Sequence, residues 1–269
     1  DHAVTLALAQ AIPLPPPGLI TKISTTNKVY LITDDGSSLA PALAKAMQAK
    51  GFFPLILRFF GIQKYDKKNR VSFSKETVIK ELSSAGEVEL KTIFQRLSKK
   101  YGTFGGFIHL NPLTKSSHKT RLEDAENSFT KQAFLSVKNI YPFLQKTDQS
   151  RNIRSHFLAI ARLDGELGMG SGEFNSTSSA LSGLVKTAGV EWKDVFCRFL
   201  DLHPDLNTRD AVNCILQELY DPDLRISEVG YSLKGKSRTA RMTVKPKKIR
   251  TLSTVKSGKV FGGDQSRSM

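Results

Sequence analysis

Short apolar runs alternate with longer amphipathic segments along most of the chain, a pattern that favours β-strands separated by α-helices. Helices are predicted where apolar residues recur at helical spacing, over Leu39–Lys50, Glu87–Lys100, Arg121–Gln145, Phe174–Glu191 and Thr208–Tyr220. Buried strands are predicted at Lys28–Thr33, Pro54–Phe59, Gly105–Leu110, Ser155–Arg162 and Asp194–Leu202. A final strand or hairpin is predicted over Leu224–Tyr231 and Arg241–Val244, and weaker structure over the polar residues 61–86. The order predicts an α/β fold with a doubly wound sheet of about six parallel strands, whose carboxyl ends should carry any ligand site.

The two ends of the chain differ in composition from this alternating region. Residues 1–24 are rich in alanine and proline and lack the basic start of a signal peptide, so they are predicted to be an interdomain linker of a cut-out fragment. Residues 25–245 form the predicted domain, and 246–269 a basic linker or tail. Within this tail, Thr251–Phe261 is interpreted as a linker that enters a new strand.

The amino-acid composition limits the classes of protein to which the chain can belong. The 269 residues are 39% hydrophobic, which suits one domain with a sizeable core. No apolar run is long enough for a membrane span. Cys197 and Cys214 lie in apolar periodic segments and are interpreted as buried thiols of a reducing compartment, here the cytoplasm. The five histidines have no metal-ligand spacing, so no metal is expected.

The net charge of +15 is concentrated near the carboxyl terminus. Residues 233–269 contain eleven lysines and arginines and one aspartate, a net +10 that leaves +5 for the rest of the chain. Phe261 is the single aromatic residue there, so stacking on nucleic-acid bases is not expected. A solvated linker is the favoured interpretation, and a polyanion-binding tail is the alternative.

The first strand-to-helix turn is where a Rossmann domain binds a dinucleotide pyrophosphate through glycines and a helix N-terminus. Here the turn contains a single glycine, Gly36, with Asp34 and Asp35 before it. Two carboxylates would repel a diphosphate by on the order of 1 kcal/mol or more. The pair is interpreted as N-terminal capping of the following helix, and the turn is predicted not to bind NAD(P).

Several segments resemble the ketoreductase regions of type I polyketide and polyunsaturated fatty acid synthases, within the short-chain dehydrogenase superfamily. The resemblance covers roughly residues 25–245. It is carried by VYLITDDGSSLAPALAKAMQAKG (29–51), GGFIHLNP (105–112), FLAIARLDGELGMG (157–170), ALSGLVKTAGVEWKDVFCRFLDLHP (180–204) and ISEVGY (226–231). The resemblance implies a Rossmann-like sheet and a reductive site that needs a tyrosine acid, a serine and a positioning lysine or asparagine.

The family's functional positions are degenerate in this chain. Aligned on the first turn, the three glycine positions fall at Asp34, Ser38 and Ala40. Aligned on the segment SGL at 182–184, the serine falls at Ala161, the tyrosine at Phe174 and the residue four later at Ser178, none of which supplies the family's chemistry. Lys138 is interpreted either as a remnant of a polar position on the long helix or as a solvated or carbonyl-capping lysine.

These losses together predict a chain that is inactive alone. The resemblance implies a structural, pseudo-Rossmann half that supports a catalytic half, with NADPH bound in that catalytic half and none in this chain. The expected partners are the catalytic ketoreductase half and the carrier-protein region of the same synthase. Two alternatives stay open, a divergent free-standing NAD(P)-dependent reductase and a scaffold or polyanion-binding module that uses the basic tail.

Overall fold

The computed structural model describes residues 8–18, 28–62, 78–83, 86–112, 119–144, 154–170, 176–233 and 238–244. These residues form one mixed sheet in the order β1-β9-β8-β7-β6-β5-β2-β3-β4. Its strands are β1 Leu8–Leu14, β2 Val29–Thr33, β3 Phe53–Arg58, β4 Val78–Glu81, β5 Gly106–Leu110, β6 His156–Ala161, β7 Phe196–Leu202, β8 Glu228–Tyr231 and β9 Arg238–Val244. The helices are α1 Leu39–Ala49, α2 Glu87–Tyr101, α3 Lys119–Ile140, α4 Ser176–Glu191 and α5 Thr208–Leu219, and a 3-10 turn spans Tyr141–Phe143.

The parallel centre of the sheet is buried on both faces. Strands β2 to β8 pair in parallel, and every residue of β2, β5, β6 and β7 is buried. One apolar core packs α2, α3 and α4 against the sheet, and a second packs α1 and α5 against the opposite face. Burial on both faces explains why these strands are continuous apolar runs rather than alternating ones. The predicted doubly wound α/β fold is confirmed.

The order of the strands reverses beside β2, which pairs with β3 on one side and with β5 on the other. In open α/β sheets, ligands bind outside the carboxyl ends of the strands at such a switch point. The structure therefore brings together the residues that follow β2, β3, β5 and β6. Helix α1 runs back from this edge and ends at Ala49. Gly51 follows its C-cap residue, with a φ of +83° that suits glycine and an N–H that donates to the Gln48 carbonyl.

Two sequence predictions are corrected by the edges of the sheet. Leu8–Leu14 falls inside the predicted linker 1–24, yet it forms β1 and pairs antiparallel with β9. The prediction was wrong there because pairing with a distant strand satisfies the backbone of an alanine- and proline-rich segment. Val78–Glu81 lies in the region predicted to be weakly structured and forms β4, paired with β3. The basic tail 246–269 lies outside the described residues.

The ends of the predicted helices move by a few residues, as expected for frayed termini. Helix α3 stops at Ile140, where the 3-10 turn containing Pro142 takes over, since proline cannot continue an α-helix hydrogen-bond ladder. Of the predicted alternatives, a final strand or a hairpin, the structure shows two strands, β8 and β9, that pair antiparallel. No helix within the described ranges is long and apolar enough to cross a membrane.

Candidate functional site

The turn after β2 contains an internal ion pair. Asp34 is fully buried, and its carboxylate accepts hydrogen bonds from the Gly36 N–H at 3.0 Å and from Arg58 Nε at 2.7 Å. Arg58 ends β3 and is itself 7% exposed, and its guanidinium also contacts Glu81 at 2.8 Å. Burying the two charges costs desolvation free energy, which their mutual attraction offsets, so removing one partner leaves an uncompensated buried charge and is costly.

The neighbouring carboxylate, Asp35, is also buried and belongs to a separate local network. It accepts from the Ser37 N–H at 3.1 Å and from the Ser37 hydroxyl at 2.6 Å. Burial raises the pKa of Asp35, while the hydrogen bonds from Ser37 oppose that rise. The Ser37 hydroxyl oxygen in turn accepts from the Leu39 N–H, the first residue of α1. The prediction that the two aspartates cap α1 is therefore wrong, because their oxygens bind Arg58, Gly36 and Ser37 instead.

The other two degenerate positions of the turn have different environments. Ser38 precedes α1, and its hydroxyl lies 2.8 Å from that of Thr208, the first residue of α5. Ala40 is fully buried in the first turn of α1. The hydroxyl contact thus joins the turn to the start of α5.

The carboxyl ends of β5 and β6 bring two of the predicted catalytic positions near the turn. Ala161 is the last residue of β6 and contributes its methyl group to the core. Ser178, in the first turn of α4, accepts a hydrogen bond of 2.9 Å from the Asn111 side-chain amide, just after β5. Phe174, the position of the expected acid, lies outside the described residues.

Lys138 has a different setting from these residues. Its ammonium lies 3.0 Å from Glu87 at the start of α2, and its side chain is 55% exposed. The pKa of Glu87 is lowered by hydrogen bonds from Lys138 and Asn139. Lys138 therefore makes an exposed ion pair between α3 and α2, an interaction of little net energy.

A tightly hydrogen-bonded loop follows β6. The buried Asp201 carboxylate, on β7, accepts from the backbone N–H groups of Leu163, Gly165 and Leu167 at 2.7–2.9 Å. Asp164 accepts from three further N–H groups of the same loop, at 2.8 Å each. Burial raises the pKa of Asp201 to about 7, and the Asp164 carboxyl adds to that rise. These two aspartates fix the loop that flanks the carboxyl end of β6.

Sequence reasoning missed Arg58, Asn111 and Asp201. Each is a polar residue at the carboxyl end of a buried apolar strand, and that position was the available signal. Their partners lie 24, 67 and 34–38 residues away, so the contacts themselves could not be read from local pattern.

The residues of the first turn do not fit a dinucleotide. In a Rossmann domain, the turn's backbone N–H groups face a phosphate, and an arginine near the next strand accommodates a 2′-phosphate. Here the Gly36 N–H and the Arg58 guanidinium are both bound to Asp34. Nor do the described residues include a group of three or more histidine, cysteine or acidic side chains that could hold a metal ion.

The sequence is similar to part of a large synthase polypeptide. It is 28% identical over 225 residues, 80% of this chain, to one of the polyunsaturated fatty acid synthase subunits of Thraustochytrium sp. (strain ATCC 26185 / S-3). The chain spans 7% of the length of that relative. No family model matches the chain.

Solved structures share the fold at low sequence identity. The 3-ketoacyl-(acyl-carrier-protein) reductase from Brucella melitensis, complexed with NADH, superposes with a TM-score of 0.59 at 14% identity, covering 79% of this chain and 99% of that one. A short-chain dehydrogenase from Oenococcus oeni PSU-1 gives 0.55 at 16% identity, covering 78% and 97%. A Serratia marcescens short-chain dehydrogenase/reductase variant gives 0.57 at 10%, covering 80% and 100%. The chain is therefore a domain with the short-chain dehydrogenase fold, related in sequence to a polyunsaturated fatty acid synthase.

Proposed function

We propose that this chain is a non-catalytic structural subdomain of a β-ketoacyl reductase in a polyketide or polyunsaturated fatty acid synthase. The observation that carries the proposal is the buried Asp34–Arg58 ion pair in the first turn. It places an internal carboxylate on the donors that a phosphate would need, so the chain binds no NADPH of its own. The cofactor and the reductive step then belong to the catalytic half that this subdomain supports.

The residues at the other strand ends support the same proposal. Reduction of a ketone needs a proton donor and a group that binds the carbonyl oxygen. Ala161 offers a buried methyl group, and the Ser178 hydroxyl is bonded to the Asn111 amide. By contrast, the chain keeps two extensive apolar cores, as expected where selection acts on the fold.

The partners that we propose are inferred from the protein in which the similar segment lies. That relative is a synthase polypeptide much longer than this chain, which supports a setting among other domains of one polypeptide. In this setting the catalytic reductase half and the carrier-protein region are the partners we propose. The catalytic half is the nearer one, because a structural subdomain acts by packing against the domain it stabilises.

Cofactor binding and turnover test the inactive state directly. NADPH is titrated into the whole chain with fluorescence detection, and a β-ketoacyl thioester is then added. We expect no saturable binding at micromolar cofactor and no oxidation of NADPH. Micromolar binding accompanied by turnover would contradict the proposal and favour a divergent free-standing reductase.

Co-expression tests the structural role. The catalytic reductase half of the parent synthase is produced alone and together with this chain. We expect higher soluble yield and activity with this chain present. Equal solubility and activity of the catalytic half in both cases would show that it needs no structural partner.

A further inference from the structure

The misfit between the first turn and a dinucleotide has a specific chemical cause. The Asp34 carboxylate accepts hydrogen bonds from the Gly36 N–H at 3.0 Å and from the Arg58 guanidinium at 2.7 Å. Backbone N–H groups before a helix, together with an arginine, are the donors that bind phosphate groups in proteins. Asp34 therefore satisfies, from within the chain, the same donors that a bound phosphate would satisfy.

We propose that Asp34 is the built-in occupant of a latent anion site, and that its removal uncovers a site for a phosphate monoester. The inference rests on the proposed function, since it takes the native chain to be free of a dinucleotide. Asp34 differs from Asp35 in this respect, because Asp35 accepts from Ser37 and makes no hydrogen bond to Arg58. Only the loss of the Asp34 carboxylate releases both the Gly36 N–H and Arg58 Nε.

The remaining contacts preserve the shape of the site once Asp34 is replaced. Arg58 keeps its 2.8 Å contact with Glu81, which holds the guanidinium at the end of β3. Gly36 has a φ of +78°, so the turn's backbone conformation depends on that glycine. The Ser38 hydroxyl stays paired with Thr208 on the neighbouring helix. A glycine at position 34 also leaves space where the buried carboxymethyl group stood.

The experiment uses the whole chain with Asp34→Gly, and with Asp35→Gly as the matched control. Adenosine 2′,5′-bisphosphate is titrated calorimetrically, with adenosine as the uncharged comparator and inorganic phosphate as the minimal anion. We expect Asp34→Gly to bind the bisphosphate at least about tenfold more tightly than the wild type or Asp35→Gly. Adding Arg58→Met to Asp34→Gly should abolish that gain.

Three results would overturn the inference. Equal binding by Asp34→Gly and Asp35→Gly would show a general effect of removing negative charge. Equal affinity for adenosine would show that no anion site was opened. No binding by an Asp34→Gly protein with native circular dichroism would show that Arg58 and Gly36 do not form an anion site. This last result leaves the proposed function intact, whereas micromolar NADPH binding by the wild type would refute the proposed function.

A second variant covers the case in which Asp34→Gly does not fold. Asp34→Asn keeps the volume of the side chain and removes its charge, so Arg58 is less well compensated. Because a ligand that binds only the folded state raises its stability, phosphate should raise the melting temperature of Asp34→Asn more than that of the wild type. Phosphate and sodium sulfate are compared at matched ionic strength. Equal shifts in the melting temperatures of Asp34→Asn and the wild type would contradict the proposal.

Discussion

Glu218→Gln is expected to destabilise the fold strongly, because Glu218 lies at the centre of a buried charge cluster. Its carboxylate is fully buried on α5 and accepts from Arg198 on β7, from Arg238 on β9 and from the Tyr231 hydroxyl on β8. Asp221 completes the charge balance by contacting both arginines. Two cations and two anions thus join α5 to three adjacent strands.

The magnitude follows from what glutamine cannot provide. Its amide nitrogen is a donor facing guanidinium donors, and the loss of one negative charge leaves two buried arginines with Asp221 alone. Breaking a buried pair by changing one partner costs about 3–5 kcal/mol. For a domain of this size, that corresponds to a fall in melting temperature of roughly 6–20 °C. The loss of stability should also reach the edge of the sheet, because Arg238 donates a hydrogen bond to the Pro15 carbonyl just after β1.

Urea denaturation at neutral pH, followed by circular dichroism, measures the loss. The matched control is Glu191→Gln on the exposed end of α4, which should change stability by less than about 0.5 kcal/mol. Tyr231→Phe removes one hydrogen bond to the same carboxylate and should cost about 1.5–3 kcal/mol, a graded test if Glu218→Gln fails to fold. A Glu218→Gln protein within about 1 kcal/mol of the wild type would refute the reasoning.

Three further predictions concern stability at low pH, two glycine substitutions and the substitution Phe174→Tyr. Burial lowers the pKa of His109 and of His156 to about 3, so between pH 6.5 and 3 the unfolded chain binds more protons than the folded one. The contribution of these two neutral histidines to stability should therefore be fully present above pH 6.5. It should fall as the pH drops below that value, by at most about 1.4 kcal/mol per pH unit for each histidine. In urea titrations at a series of pH values, His109→Phe should lose less stability per pH unit than the wild type does between pH 6.5 and 3, and an equal loss would contradict this. Gly165→Ala should destabilise the fold markedly, since φ is +76° and a Cβ would lie 2.2 Å from the Tyr231 carbonyl oxygen. Gly183→Ala, on α4, places its Cβ in open space and should raise the free energy of unfolding by about 0.5–1 kcal/mol. Equal melting temperatures for the two variants would be inconsistent with this difference. Phe174→Tyr should restore no NADPH-dependent turnover, because the turn at Asp34 and the positions of Ala161 and Ser178 are unchanged; measurable turnover would indicate a more intact site.

The candidate site was only partly predictable. The absence of glycines at Asp34, Ser38 and Ala40, and of a hydroxyl at Ala161, is a matter of residue identity and was visible in the sequence. The role of Asp34 was not visible, because a carboxylate before a helix is an ordinary capping residue by local pattern. Its partner, Arg58, is the last residue of the next strand and comes beside Asp34 only when β2 and β3 pair in parallel.

The sequence by itself determined the alternating order of the central elements, since burial on both faces of a parallel sheet requires apolar runs at those places. From residue identity alone it also predicts that Phe174 and Ala161 replace the acid and the serine of the reductases that the chain resembles. Only the tertiary structure decided that Leu8–Leu14 is an edge strand and that the first turn is occupied by the Asp34 carboxylate. The physical reason is the same in both cases: each feature depends on a partner group brought close by folding, a whole strand for β1 and a single guanidinium for Asp34.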